Sequence, residues 1–227
     1  MKQPLLDTLE RKLRKITIRN LMLVVVIGTL IVWLMDFIVA NKTGVWISPY
    51  LYFNKELILQ GQVWRVITFI FVPTETSPLF FAIALYFYWL IGTGLERAWG
   101  SFRFDCFYFI GVTCAVISGF ITGYATVEYL HMSMFIAYAI LNPDDYVLLF
   151  FFIPVKMKWL AIIDAIVLVL LFIFSGWLER IALLVAFLNL AIFFTKVVID
   201  NTRASIRRRK WKKEATRKDE DEYPFDL

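Results

Sequence analysis

The chain has a single histidine, His131, in 227 residues, and it stands two positions before a serine, Ser133. Histidine and serine together suggest nucleophilic acyl transfer, which needs a base within hydrogen-bond reach of the hydroxyl. Residues at i and i+2 of a helix point to nearly opposite faces, so His131 cannot serve Ser133 in that way. A serine–lysine pair is the remaining rescue, but Lys156, Lys158 and Lys196 lie near the far ends of their apolar segments. Asp164 and Asn189 instead fall inside apolar stretches. A carboxylate there must be protonated, paired or wetted, and such residues are functional candidates by default. The plainer reading is an Asp164–Asn189 hydrogen bond between helices, worth about 1 kcal/mol. Glu128 and His131 share a helix face, yet two ligands without a third make no metal site. With no glycine-rich phosphate loop and no Cys/His spacing, neither metal nor cofactor is expected.

The elements that must position these groups follow from composition. Apolar residues make up 60% of the chain, with 22 phenylalanines, and the mean hydropathy is +0.68. That exceeds what a soluble core can hide, so much of this surface must face lipid. Six stretches approach the roughly 20 residues needed to cross a bilayer: residues 18–40, 78–95, 104–124, 126–141, 155–174 and 181–199. The fourth is short. The apolar run 63–72 is shorter still and reads as an interfacial or re-entrant piece, although a seventh span is the competing count.

Charge placement favours six. Lys2, Arg11, Lys12, Arg14, Lys15 and Arg19 precede the first span, and Arg203, Arg207, Arg208, Arg209, Lys210, Lys212, Lys213, Arg217 and Lys218 follow the last. Short basic flanks stay cytoplasmic, so both ends lie inside and the number of crossings is even. The expected organisation is a basic segment 1–17, a membrane domain 18–199 and a tail 200–227 that turns from basic to acidic at Asp219. Basic residues beside a last span bind anionic lipid at about 1 kcal/mol each, which makes membrane lipids the partner and disfavours nucleic acid. The N-terminal stretch lacks a signal-peptide pattern. Cys106 and Cys114, eight residues apart on one span, are about 12 Å apart along the axis, too far for a disulfide.

Residues 41–77 are too hydrophobic for a free loop and hold Trp46, Pro49, Tyr50, Tyr52, Gly61, Gln62, Trp64, Arg65, Ile67, Thr68 and Phe71. Long loops of this kind are functional or docked, and aromatic residues favour the headgroup region. The series Gly61-Gln62-x-Trp64-Arg65-x-Ile67-Thr68-x-x-Phe71, an apolar helix, then Gly94-x-Glu96 and Trp99-Gly100 resembles the first loop and second helix of the rhomboid superfamily. The resemblance covers residues 18–199. It implies an all-α bundle of six transmembrane helices with a semi-submerged first loop. It also implies that Arg65 bonds within that loop and that Glu96 ties the end of span two to its neighbours.

An active rhomboid carries a Gly-x-Ser-Gly serine at the top of span four and a histidine on span six. Matching Phe135 and Ala139 to that helix puts His131 in the serine's place, with Ser133 beyond it, and span six has no histidine. The chain therefore reads as a non-cleaving, pseudoprotease-like member, of bacterial type in the plasma membrane, that binds transmembrane clients or partner proteins. The alternatives are a protease with a non-standard nucleophile such as Ser133 or Thr126, or a transporter built on Asp164.

Overall fold

The computed structural model of the chain describes residues 17–149 and 153–185, with 187 and 191. Nearly all belong to the first of its two compact units, Met1–Leu190. The basic N-terminal segment and the charged tail lie outside the described residues, as do Asn189 and most of the sixth expected span.

Seven helices and a hairpin can be followed. Helix α1, Leu21–Thr43, is mostly apolar and stops at Gly44, whose φ of 72° turns the chain left-handed while its N–H reaches Ala40 O. A long loop follows, containing a 3-10 turn at Ser48–Tyr50, helix α2 (Lys55–Leu59), helix α3 (Arg65–Thr68) and a second 3-10 turn at Phe69–Phe71. Helix α4, Pro78–Trp99, has its proline in the first turn, where a missing N–H costs nothing. Helices α5 (Ser101–Thr122), α6 (Glu128–Leu141) and α7 (Met157–Phe174) complete the set, and residues 177–185 are again helical.

Four of these helices, α1, α4, α5 and α7, are long and apolar enough to cross a membrane. The six-span expectation is met to that extent. Helix α6, with 14 residues, rises about 21 Å, short of the roughly 30 Å of hydrocarbon. The run 63–72 forms two short turns, as expected of an interfacial piece.

Two local features differ from the expectation. The stretch from Arg97 to Arg103, expected to be an inner loop, contracts to a single residue, Gly100, because α4 and α5 both continue into it. Gly100 sits at φ 87°, ψ 150°, a region open essentially to glycine alone. An antiparallel hairpin, β1 (Tyr146–Leu149) with β2 (Ile153–Lys156), pairs Tyr146 with Lys156 and Val147 with Val155 just before α7, where a plain connection between the fourth and fifth spans was expected. Pro154 is compatible with it because both strands of a two-stranded hairpin are edges.

The core is aromatic. Phe104, Phe107 and Tyr108 of α5 are at most 1% exposed, and Leu95 and Trp99 of α4 and Met134 and Ala137 of α6 are buried as well. Trp33 of α1 stacks on Phe81 of α4 at 4.8 Å. Phe53 carries the first loop into this core and meets the rings of Phe69 and Phe120 edge-on. It fits because residue 119 is glycine: a Cβ there would lie 2.7 Å from the Phe53 ring. Gly119 of α5 thus admits a side chain of the first loop.

Outward-facing apolar residues are equally informative. Leu23, Ile27, Ile31 and Ile38 on α1, and Ile162, Ile166, Val169 and Ile173 on α7, are each about half exposed, a surface that suits lipid or another apolar face and not water. Gly100→Ala would force a side chain into the left-handed corner and should cost about 1–3 kcal/mol. The thermal unfolding midpoint in detergent should fall for Gly100→Ala and stay put for Gly176→Ala, where neither a positive φ nor a close neighbour opposes a methyl group.

Candidate lateral cleft

The charged residues near the helix ends sort into two groups. The first group holds irregular backbone. Arg65 is 3% exposed; its Nη1 donates to Pro49 O and Tyr52 O, both at 2.9 Å, and its Nε donates to Gln62 Oε1 at 2.7 Å. Trp64 Nε1 donates to Tyr50 O at 3.3 Å and the Thr68 hydroxyl to Leu51 O at 3.0 Å. The loop is therefore stitched by side chains from α3 onto the turn at Ser48–Tyr50.

Asp36 performs the reciprocal task from α1. Its carboxylate accepts the N–H groups of Ile47 at 2.6 Å and Ser48 at 2.9 Å, and also the Ser48 hydroxyl. An acidic residue near a helix end reads from sequence as solvated; here it is 3% exposed. The only hint in the sequence is that a Trp-Ile-Ser-Pro turn begins ten residues later.

At the opposite helix ends, Glu96 Oε1 accepts from Asn20 N at 3.1 Å and from the Ser101 hydroxyl at 2.6 Å. Asp105 Oδ2 accepts from Ile18 N at 2.8 Å. Two carboxylates on α4 and α5 thereby hold the chain entering α1. Trp99 is buried against Phe107, rings at 5.4 Å. Gly94 lets Tyr138 of α6 lie against α4, since a Cβ there would be 2.1 Å from the ring. Among the motif residues, Glu96, Trp99 and Gly100 gather at one end, and Trp64 and Arg65 at the other.

The second group lines a cleft. Helices α4, α6 and α7 enclose a space of about 380 Å³, open on one side, with Thr74 and Glu75 at its mouth and Tyr88, Glu128, His131, Met132 and Asp164 among its lining. The two polar positions singled out from sequence, His131 and Asp164, are brought to one site. His131 is 8% exposed, and neither ring nitrogen has a hydrogen-bond partner among the described residues. Its orientation comes from aromatic contact, with Tyr88 at 4.2 Å and Tyr108 at 6.3 Å between ring centroids. Asp164 Oδ2 is buried and likewise without a partner among the described residues.

Ser133 takes no part in this cleft. It is fully buried and its hydroxyl donates to Leu130 O of its own helix at 2.7 Å. Among the described residues no group of three or more His, Cys, Asp or Glu could hold a metal, and both cysteines are free. The partner expected for Asp164, Asn189, lies outside the described residues.

These geometries assign different consequences to two substitutions. Arg65→Lys keeps the charge but loses the planar fork that serves two carbonyls and an amide. Loss of such charged hydrogen bonds should cost about 1.5–3 kcal/mol. Limited proteolysis of reconstituted protein should cut residues 44–64 faster in Arg65→Lys and at the original rate in Lys55→Gln. Ser133→Ala removes one bond to a helix carbonyl and should leave the digestion pattern unchanged.

Among curated proteins none matches the chain. Residues 19–195 match the family described as Eukaryotic integral membrane protein (DUF1751), a range that begins just before α1. The family is a eukaryotic one, so the expectation of a bacterial plasma membrane finds no support in it. The chain is an integral membrane protein and belongs to the DUF1751 family of eukaryotic integral membrane proteins.

Proposed function

We propose that this protein is a rhomboid-like scaffold that binds transmembrane segments sideways, against the cleft between α4 and α7, and does not cleave them. The observation that carries the reading is the cleft itself: a space of about 380 Å³ bounded on one side by a poorly buried helix. In α7 only Met157 and Leu168 are buried, and it packs chiefly on α6. A helix so held can yield laterally to a partner, and its apolar outer face suits lipid or another helix equally.

The chemistry within agrees with binding. The position matching the family nucleophile is His131, Ser133 donates to its own helix, and the chain has no second histidine. Short α6, at about 21 Å, favours local thinning of the bilayer around the cleft. The basic flanks support both termini on the cytoplasmic side of a eukaryotic membrane, with 1–17 and 200–227 as cytoplasmic segments around a membrane domain of residues 18–199. A second reading, cation or proton movement, is favoured by one observation, the Asp164 oxygen without a partner among the described residues in the middle of an apolar helix.

The test uses the full chain in proteoliposomes with a photoreactive residue at Ala84 or Val167, both lining the cleft, and a defined single-pass helix co-reconstituted. Crosslinks should form there in several-fold excess over a probe at Ile110, which faces outward. A serine-directed fluorophosphonate should leave the protein unlabelled. Labelling lost in Ser133→Ala, or equal crosslinking at all three positions, would contradict the proposal.

A further inference from the structure

The cleft is one-signed. Among the described residues that line it are three carboxylates, Glu75, Glu128 and Asp164, and no lysine or arginine. Glu75 and Glu128 are exposed where the loop end of the bundle opens, and Asp164 sits deeper with its Oδ2 buried. Beside this series stands His131, more than nine-tenths buried with both nitrogens lacking a partner among the described residues. Buried polar groups in native structures have partners as a rule, and an orphan calls for an explanation. Here two orphans line the same open space, and a missing cation would satisfy both.

We infer that the cleft selects transmembrane segments carrying a lysine or arginine within the membrane, whose cationic end meets Asp164 beside the imidazole of His131. The inference rests on the client-binding reading above and names its partner. The volume supports a side chain as the guest. About 380 Å³ is at the lower end of a small-molecule pocket, roughly 300–1,000 Å³, too little for a helix yet ample for one long side chain with its neighbours. A client helix therefore lies against the outer faces of α4 and α7 and projects its basic residue inward. An ammonium donates to a carboxylate oxygen and to one imidazole nitrogen together. Glu75 and Glu128 at the mouth draw the same charge in from the loop end. A lysine or arginine left in hydrocarbon is strongly disfavoured, so the preference for such a client over an apolar one has a clear physical source.

The experiment reconstitutes the full chain, with a photoreactive residue at Val167, alongside single-pass helices identical except for Lys, Leu or Glu at mid-depth. The Lys helix should be captured about tenfold more than the Leu helix, the size of effect expected for one charged hydrogen bond, and the Glu helix less than either. Asp164→Asn should bring the Lys helix down to the level of the Leu helix, with folding checked by the thermal midpoint in detergent. If that variant fails to fold, Glu75→Gln combined with Glu128→Gln, both on exposed side chains, should reduce Lys-helix capture several-fold. Equal capture of all three helices would overturn the charge preference and leave client binding standing. Capture of none would remove both readings. A Lys preference undiminished in folded Asp164→Asn, or in the double variant, would overturn the assignment to this cleft, as would cation flux through vesicles without helix capture.

Discussion

Unpaired buried backbone groups cost several kcal/mol each, and the short turns of the first loop, which bond many of its own groups, leave others to side chains. Two buried charges take these. Asp36 gathers the N–H groups of Ile47 and Ser48, and Arg65 gathers the carbonyls of Pro49 and Tyr52. Neither charge is neutralised by the other; each is surrounded by dipoles of the matching sign. Removing either would leave several polar atoms buried without partners, a larger loss than the bond energies alone.

The stitched loop fixes what lies beyond it. Because Phe53 is held in the core near Gly119 and the loop docks on α1 and α5, the chain from Val72 to Ser77 delivers Thr74 and Glu75 to the cleft mouth in a set position. On its α1 side α4 is closed, with Met22 against Gly92 and Trp33 stacked on Phe81. Away from α1 it faces the open space. Helix α4 is thus the wall packed on its far side, and α7, with two buried residues, is the less buried one.

Much of this was legible in the chain. Long apolar runs gave α1, α4, α5 and α7 to within a few residues at most ends, because nothing but a helix satisfies backbone polar groups in lipid. The spacing of Trp64-Arg65 and Glu96-x-x-Trp99-Gly100 pointed to the residues that hold loop and helix ends. Two things escaped. The hairpin at Tyr146–Lys156 was hidden because short apolar runs have no period that separates strand from helix. The part played by Asp36 was hidden because its partners are main-chain N–H groups, which every sequence carries and no residue type announces. Likewise the convergence of His131 and Asp164 depends on the packing of α6 against α7, a tertiary fact outside any local pattern.

The buried polar residues of this protein obey two opposite rules, and the contrast bears on function. Asp36 and Arg65 are buried at 3% exposure with their hydrogen-bonding capacity engaged, which is what a structural role demands. His131 is almost as deeply buried, yet its ring is held by Tyr88 and Tyr108 through aromatic contact that leaves both nitrogens without a partner among the described residues. Stacking orients an imidazole without occupying its donor or acceptor. A purely structural histidine would gain by bonding a neighbour, and Ser133, two residues on, bonds a helix carbonyl instead. Among the described residues the fold therefore holds an oriented group without a partner facing an acidic cleft, an arrangement whose energetic penalty would be relieved by a third party supplying the charge and donors that the lining lacks.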